Sequence, residues 1–292
     1  MSAGCSLLLS RHPVRGGFVI IGTKMESIPK SLSPVIPATP VAPYIGGKRN
    51  LAKRLVARIN TIDHTLYAEV FVGMGGVFFR RTHRPRAEAI NDYSRDVANL
   101  FRVLQRHYPQ FMDTIKYQIT SRTEFERLIR CEADTLTDLE RAARFLYLQR
   151  TSFGGKVASQ NFGISPDRPA RFDLTKLAGM LDDAHERLSG VMIECLPYAA
   201  FIKRYDRKGT LSYLDPPYYN CENDYGKGMF ERADFDRLST LLRGIKGRFI
   251  LSLNDTPEVR NIFSSFNIEE VRTTYSVAKG KAKAAREVII SN

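Results

Sequence analysis

Cysteine and histidine are scarce: Cys5, Cys131, Cys195 and Cys221 lie far apart with no CxxC pair, and only five histidines accompany them in 292 residues. Such spacing supplies neither a zinc site nor a disulfide framework, so no metal is expected. Long apolar runs are missing too. Residues 18–21 are among the longest, far short of the roughly 20 needed to cross a bilayer, which excludes a membrane span. No signal-peptide pattern is present, so a reducing cytoplasm is the expected setting. Residues 1–24 carry arginine and no acid, a composition that transit peptides share, and Met25 offers a second start. Acidic side chains are outnumbered, 31 against 44 Lys and Arg, giving a formal charge of +13. An excess of this size points to a polyanion partner, nucleic acid first, because each neutralised phosphate releases condensed counterions. The competing explanation is lysine retained for solubility.

What is present suits a packed protein: 43% hydrophobic and 26% charged residues in a length that fits one large domain, or a core with an insert. Residues 1–43 hold Pro29, Pro34, Pro37, Pro40 and Pro43 between Ser and Thr and read as an extended, weakly ordered arm. From residue 48 to 58, Leu51, Leu55 and Ile59 recur every fourth position, predicting a helix whose other face carries Arg49, Lys53, Arg54 and Arg58. Residues 67–72 read as a buried strand running into glycines, and 77–81 as the start of the next helix. Residues 87–90 form a second strand ending at Asn91-Asp92, and Val97, Leu100, Phe101 and Leu104 mark a following helix. Strands alternating with helices imply a parallel sheet.

The alternation breaks over residues 105–195, where helical patterns dominate. Thr137-x-x-Glu140 is a capping box, and Leu177, Leu181, Ala184 and Leu188 mark another helix. This region reads as an inserted second domain. Alternation returns with a strand at 210–214, a helix bearing Phe235, Leu238, Leu242 and Ile245, and a strand at 248–253. Residues 268–277 and 287–291 then form two closing strands, antiparallel because their connection, with Lys279, Lys281, Lys283 and Arg286, is short.

The most informative chemistry is Asp215-Pro216-Pro217-Tyr218, at the C-terminal end of a predicted strand, where ligands bind in open α/β sheets. Two prolines stiffen the loop and remove N–H donors, leaving the Asp215 carboxylate and carbonyls such as that of Pro216 as acceptors beside an aromatic ring. Such a corner suits a planar group bearing an NH2, with both hydrogens accepted and Tyr218 stacked on the plane. An exocyclic base amine fits. Accepting both hydrogens favours the pyramidal nitrogen needed for attack, which stabilises the transition state. The plainer reading is a rigid proline turn. Phe71-Val72-Gly73-Met74-Gly75-Gly76 follows the first strand, where glycines admit a close ligand, but Phe78 stands at the third glycine position of a dinucleotide fingerprint. Asp92 ends the second strand, where a carboxylate can accept ribose hydroxyls. Pro43-Tyr44-Ile45-Gly46-Gly47-Lys48 heads the first helix and on its own reads as a flexible turn.

Taken in order, residues 43–48, Phe71 to Gly75, Asn91-Asp92, the insert and Asp215 to Tyr218 resemble the Dam-type (alpha group) S-adenosylmethionine-dependent DNA adenine methyltransferases. The insert resembles them again over 144–150 and at Phe153-Gly154-Gly155, and the likeness covers about residues 44–292. It implies an α/β fold: a Rossmann-like methyltransferase sheet, mostly parallel with an antiparallel last strand, and an inserted, mainly helical target-recognition domain. The implied division is an arm 1–43, catalytic parts 44–104 and 196–292, and the insert 105–195. The resemblance implies that Tyr44, Lys48, Phe71, Gly73, Gly75 and Asp92 bind S-adenosylmethionine. Asp215 would lie between cofactor and adenine, with Pro216 supplying a carbonyl and Tyr218 stacking on a base flipped out of double-stranded DNA. A monomer is expected. Phosphate contacts are expected from the first helix, from residues 150–171 and from residues 279–286. Two departures are visible: Tyr44 where relatives often carry another aromatic, and Gly154-Gly155 where Asn-Gly is common. A cytosine amine or a glutamine amide as acceptor is disfavoured because such relatives usually begin the proline motif with Ser or Asn; a DNA-binding relic without turnover is the other alternative.

Overall fold

The computed structural model describes residues 28–48, 50–163, 169–226, 228–276 and 282–292, with backbone alone for 273–276 and 282–285. In chain order the elements are β1 (Ser33–Pro34), α1 (Ala52–Thr61), β2 (Leu66–Glu69), β3 (His83–Arg84), β4 (Ala87–Asn91) and α2 (Arg95–Arg106). There follow α3 (Tyr108–Ile115), α4 (Arg122–Arg130), α5 (Asp138–Thr151), α6 (Leu174–Leu188), β5 (Met192–Glu194), α7 (Tyr198–Tyr205) and β6 (Thr210–Leu214). The chain closes with α8 (Arg232–Arg243), β7 (Arg248–Asn254), α9 (Pro257–Ile262), β8 (Asn267–Ser276) and β9 (Ala282–Ser291).

Seven strands form one sheet in the order β5-β4-β2-β6-β7-β9-β8. All run parallel except β9, which is antiparallel to both of its neighbours. The chain builds outward from β2 through β4 to β5, then returns to the other side of β2 with β6. Beyond the C-terminal ends of β2 and β6 the loops therefore diverge, which is where open sheets hold ligands. β6 is buried at all five positions, as a central strand covered on both faces must be. Successive side chains point to opposite faces. Ile250 and Ile289 join the core beneath α1, α2 and the insert helices, while Phe249, Leu251, Val288 and Ile290 join the core beneath α7 and α8. Caps fix the helix starts: the Ser94 hydroxyl accepts from Val97 N at α2, and Thr137 with Glu140 forms the expected capping box at α5.

Several expectations need correction. Residues 28–43 are not a loose arm: Leu32, Ala38, Val41 and Ala42 are buried, and β1 pairs with β3. The helix expected from residue 48 begins at Ala52. Residues 77–81 do not start a long helix. They make one tight turn, Phe78–Arg80, after which Arg81 is buried against Glu88. Glu88 also takes both guanidinium nitrogens of Arg187 on α6 at 2.7 Å, so one buried carboxylate links the glycine turn's far end to β4 and α6. Within residues 105–195, Phe111, Leu146 and Leu177 share one hydrophobic cluster with the sheet residues Tyr67 and Ile90, and β5 is itself a strand of the main sheet.

Candidate active site

A cavity of about 740 Å³ opens beyond β2 and β6. Of the residues expected to act together, Tyr44, Lys48, Phe71, Gly73, Asp92 and Asp215 line it. Gly75, Pro216 and Tyr218 are not among the lining residues of this cavity, whereas Pro217 is.

The glycine turn is built by necessity rather than preference. Gly73 has φ of 50° and Gly75 of 70°, and a Cβ on Gly73 would lie 2.9 Å from the Tyr44 ring. A side chain there would both strain the backbone and push Tyr44 out. Gly73 N donates to Asp92 Oδ2 at 2.8 Å and Ser94 N to Oδ1 at 2.9 Å. Each carboxylate oxygen keeps a second lone pair for a ligand. Burial pushes the Asp92 carboxyl up to about 6, against the lowering pull of those two N–H groups. Asn91, next to it, donates to Val70 O and Leu196 O and accepts from Leu196 N, tying β2, β4 and the loop after β5 together.

Asp215 receives Lys48 Nζ at 2.8 Å and Ser252 Oγ at 3.1 Å. Burial raises its carboxyl to about 6, the Lys48 ammonium being the largest opposing influence. The proline loop is cross-braced by Asn254 at the end of β7, whose amide accepts from Tyr219 N at 2.9 Å and donates to Tyr219 O at 3.0 Å. Tyr218 is partly exposed, with the Lys48 ammonium 4.1 Å from its ring centre and bonded to its hydroxyl. The chain then folds over the mouth, where Tyr225 donates to Ile45 O at 2.9 Å and packs on Tyr44.

Among the lining residues that the sequence reading did not assign, Tyr198, Phe230, Glu69 and Tyr225 shape the site most directly. Phe71, Tyr198 and Phe230 form an aromatic triangle with ring centres 5.8 to 5.9 Å apart, making an apolar slot beside Asp92. Glu69 is buried at the end of β2, accepts the Tyr67 hydroxyl at 2.6 Å, and is pushed up to about 8 by burial, so it carries a proton at neutral pH. Tyr225 also came from a loop to which no role was given. An alternating buried strand such as 66–69 gives no hint that one position faces a cavity. Motif order likewise says nothing about which distant aromatic closes a slot.

The expected phosphate contacts are partly corrected. Arg54 and Arg58 on α1 pair with Glu269 of β8. Arg150 and Arg171 spend their guanidinium groups on backbone carbonyls of Arg171, Val41 and Ser152. Arg49, Lys279 and Lys281 lie outside the described residues, as does the Lys283 side chain.

The arrangement combines an apolar aromatic slot, the Asp92 carboxylate, a glycine turn and the acceptor corner at Asp215 around one cavity. Residues 44–277 match the family model described as D12 class N6 adenine-specific DNA methyltransferase. The chain belongs to this family. It is a DNA adenine-specific methyltransferase, and the family implies dependence on S-adenosylmethionine. A Type II methyltransferase of Lactococcus lactis subsp. cremoris is 25% identical over 87% of this chain and 95% of its own length. A Type II methyltransferase of Paramecium bursaria Chlorella virus NC1A is 21% identical over 85% and 95%. The DNA N-6-adenine-methyltransferase of Escherichia phage P1 is 26% identical over 76% of this chain but 31% of its own. No helix among the described residues is long and apolar enough to cross a membrane.

Proposed function

We propose that this adenine methyltransferase holds S-adenosylmethionine in the 740 Å³ cavity and methylates an adenine turned out of double-stranded DNA against the Asp215 corner. The observation that carries the proposal is that the glycine turn, Asp92 and Asp215 all line the same cavity. The cofactor fits what the residues offer. Phe71, Tyr198 and Phe230 suit an adenine ring, Asp92 suits ribose hydroxyls, and Gly73, without a Cβ, lets the Tyr44 ring pack against the turn in the cavity wall. Tyr44 and Lys48 line the cavity against the glycine turn, and Gly75, at φ of 70°, shapes that turn. When bound, the cofactor supplies a methyl group on a cationic sulfur.

The chain's own part is positional and electrostatic. Asp215, ionised at neutral pH, accepts one amine hydrogen, and the Pro216 carbonyl accepts the other. The nitrogen lone pair is thereby localised towards the methyl group. Asp215 would stabilise the positive charge that grows on the amine nitrogen as it takes the methyl group, and would accept the proton that nitrogen releases, the cofactor leaving as its neutral thioether. Tyr218 gives the base an aromatic face. On the insert, exposed Phe153 stands with Lys156, Asn161 and Arg122 around a second hollow of about 270 Å³, a mixture of cation and ring suited to nucleic acid. The Gly155 carbonyl accepts from Ile45 N at 3.0 Å, which links that hollow to the cavity mouth. The protein acts as a monomer.

Calorimetric titration tests the assignment. Wild-type protein should bind S-adenosylmethionine, and Asp92→Ala should weaken that binding at least tenfold. Asp215→Ala should keep the fold and most DNA affinity while losing methyl transfer. Undiminished transfer by Asp215→Ala would remove that residue from the mechanism.

A further inference from the structure

Glu287 lies on β9 opposite Asn254 of β7 and is fully buried. Its carboxylate stands 3.7 Å from Lys48 Nζ and hydrogen-bonds with the Tyr218 hydroxyl. Lys48, itself only 2% exposed, donates to that same hydroxyl and sits 2.8 Å from Asp215 Oδ1. One ammonium is therefore held between two carboxylates, with a phenol bridging it to the second. Dehydrating a carboxylate costs several kcal/mol, and one carboxylate already neutralises Lys48. The second must contribute something that the Lys48–Asp215 pair lacks. The difference is charge. Lys48 and Asp215 alone are neutral; with Glu287 the group keeps one net negative charge. Glu287 does not line the cavity itself and acts on it through Lys48 and Tyr218; Glu69, which does line it, is held protonated at neutral pH by burial and adds no charge. Asp92 belongs to the ribose side of the proposed site, with one lone pair of each oxygen taken by a backbone N–H and the other left for a ligand.

We propose that Glu287 is a positioning residue of the transfer site: it fixes Lys48 on Asp215 and Tyr218, and it leaves the cavity floor anionic, so that a cationic ligand is preferred over a neutral one of the same shape. This rests on the cofactor reading above. The reactant S-adenosylmethionine carries a sulfonium and the product S-adenosylhomocysteine does not, so Glu287 favours loading of reactant over retention of product.

Titration of both compounds into wild-type protein and Glu287→Gln tests this, with circular dichroism to verify folding. Gln keeps the size and can still meet Tyr218. Its Kd for S-adenosylmethionine should rise about tenfold, or about 1.4 kcal/mol, while that for S-adenosylhomocysteine changes less than twofold. Equal losses for both ligands, as a merely structural role would give, overturn the inference and leave the cofactor reading standing. A wild-type protein that binds neither ligand overturns that reading. Glu287→Asp keeps the charge but withdraws it by one methylene, and carries the test if the Gln variant does not fold. It should retain the wild-type affinity ratio and lower kcat at least tenfold. A changed ratio or an unchanged kcat would contradict the proposal.

Discussion

Asp215 must be ionised to accept an amine hydrogen, and the structure sets the pH at which it is. Its carboxyl is raised from 3.8 to about 6, chiefly by burial, even with Lys48 Nζ at 2.8 Å. Two pH units correspond to about 3 kcal/mol against the charged form. With an apparent value near 6, about nine-tenths of the protein is active at pH 7 and about one-tenth at pH 5, and the rate falls about tenfold for each further unit. Asp92 is also raised to about 6, but under the proposed assignment it faces the cofactor ribose, so its protonation weakens binding rather than transfer. Single-turnover methyl transfer at saturating cofactor therefore isolates Asp215. Asp215→Asn should reduce the rate by about 10² to 10³ and abolish the acidic limb. The stability consequence has the opposite sign to that of a carboxyl held below its ordinary value, because burial outweighs the Lys48 ion pair. As pH rises from about 4 to 6 the unfolded chain ionises before the native one, and about 1.4 kcal/mol per unit is lost. A wild-type rate that stays constant down to pH 4.5, or an Asn variant that keeps the limb, would refute the reasoning.

Three further outcomes are expected. Glu69→Gln keeps the acceptor for Tyr67 and removes a carboxyl raised from 4.5 to about 8. Thermal melts should show it near wild type at pH 5 and increasingly more stable than wild type up to pH 8, because wild-type stability falls over that window. Gly73→Ala forces a Cβ to within 2.9 Å of the Tyr44 ring at φ of 50°, and calorimetry should show cofactor affinity reduced about tenfold or more. Glu88→Ala leaves the buried Arg81 and Arg187 guanidinium groups without their shared carboxylate, and urea unfolding should show a loss of about 3–5 kcal/mol.

The parallel pairing and the ligand edge were legible because helices alternate with apolar strands and because Asp215-Pro216-Pro217-Tyr218 sits where β6 ends; the strand order itself was not. Other features depend on partners far away in the chain. The proline spacing of residues 28–43 hides the fact that Leu32 and Val41 find a core. Residues 77–81 follow a strand and a glycine turn, where a helix commonly starts, but only the turn Phe78–Arg80 forms and Arg81 is buried against Glu88. The arginines of α1 look like a phosphate-binding face until Glu269, more than 200 residues later, is brought beside them. α9, six residues long, is too short to show a period. The protonated Glu69 and the aromatic slot depend on burial and on loops that meet only in the folded chain, and no local pattern encodes either.

The central claim is that the acceptor corner at Asp215 directs a methyl group to the 6-amino group of adenine in DNA. Mass spectrometry of nucleosides from duplex DNA incubated with the protein and S-adenosylmethionine measures this directly. N6-methyldeoxyadenosine from the wild type, absent with Asp215→Ala, is the expected result. N4-methyldeoxycytidine, or unmodified DNA from a protein that binds both cofactor and duplex, would contradict it.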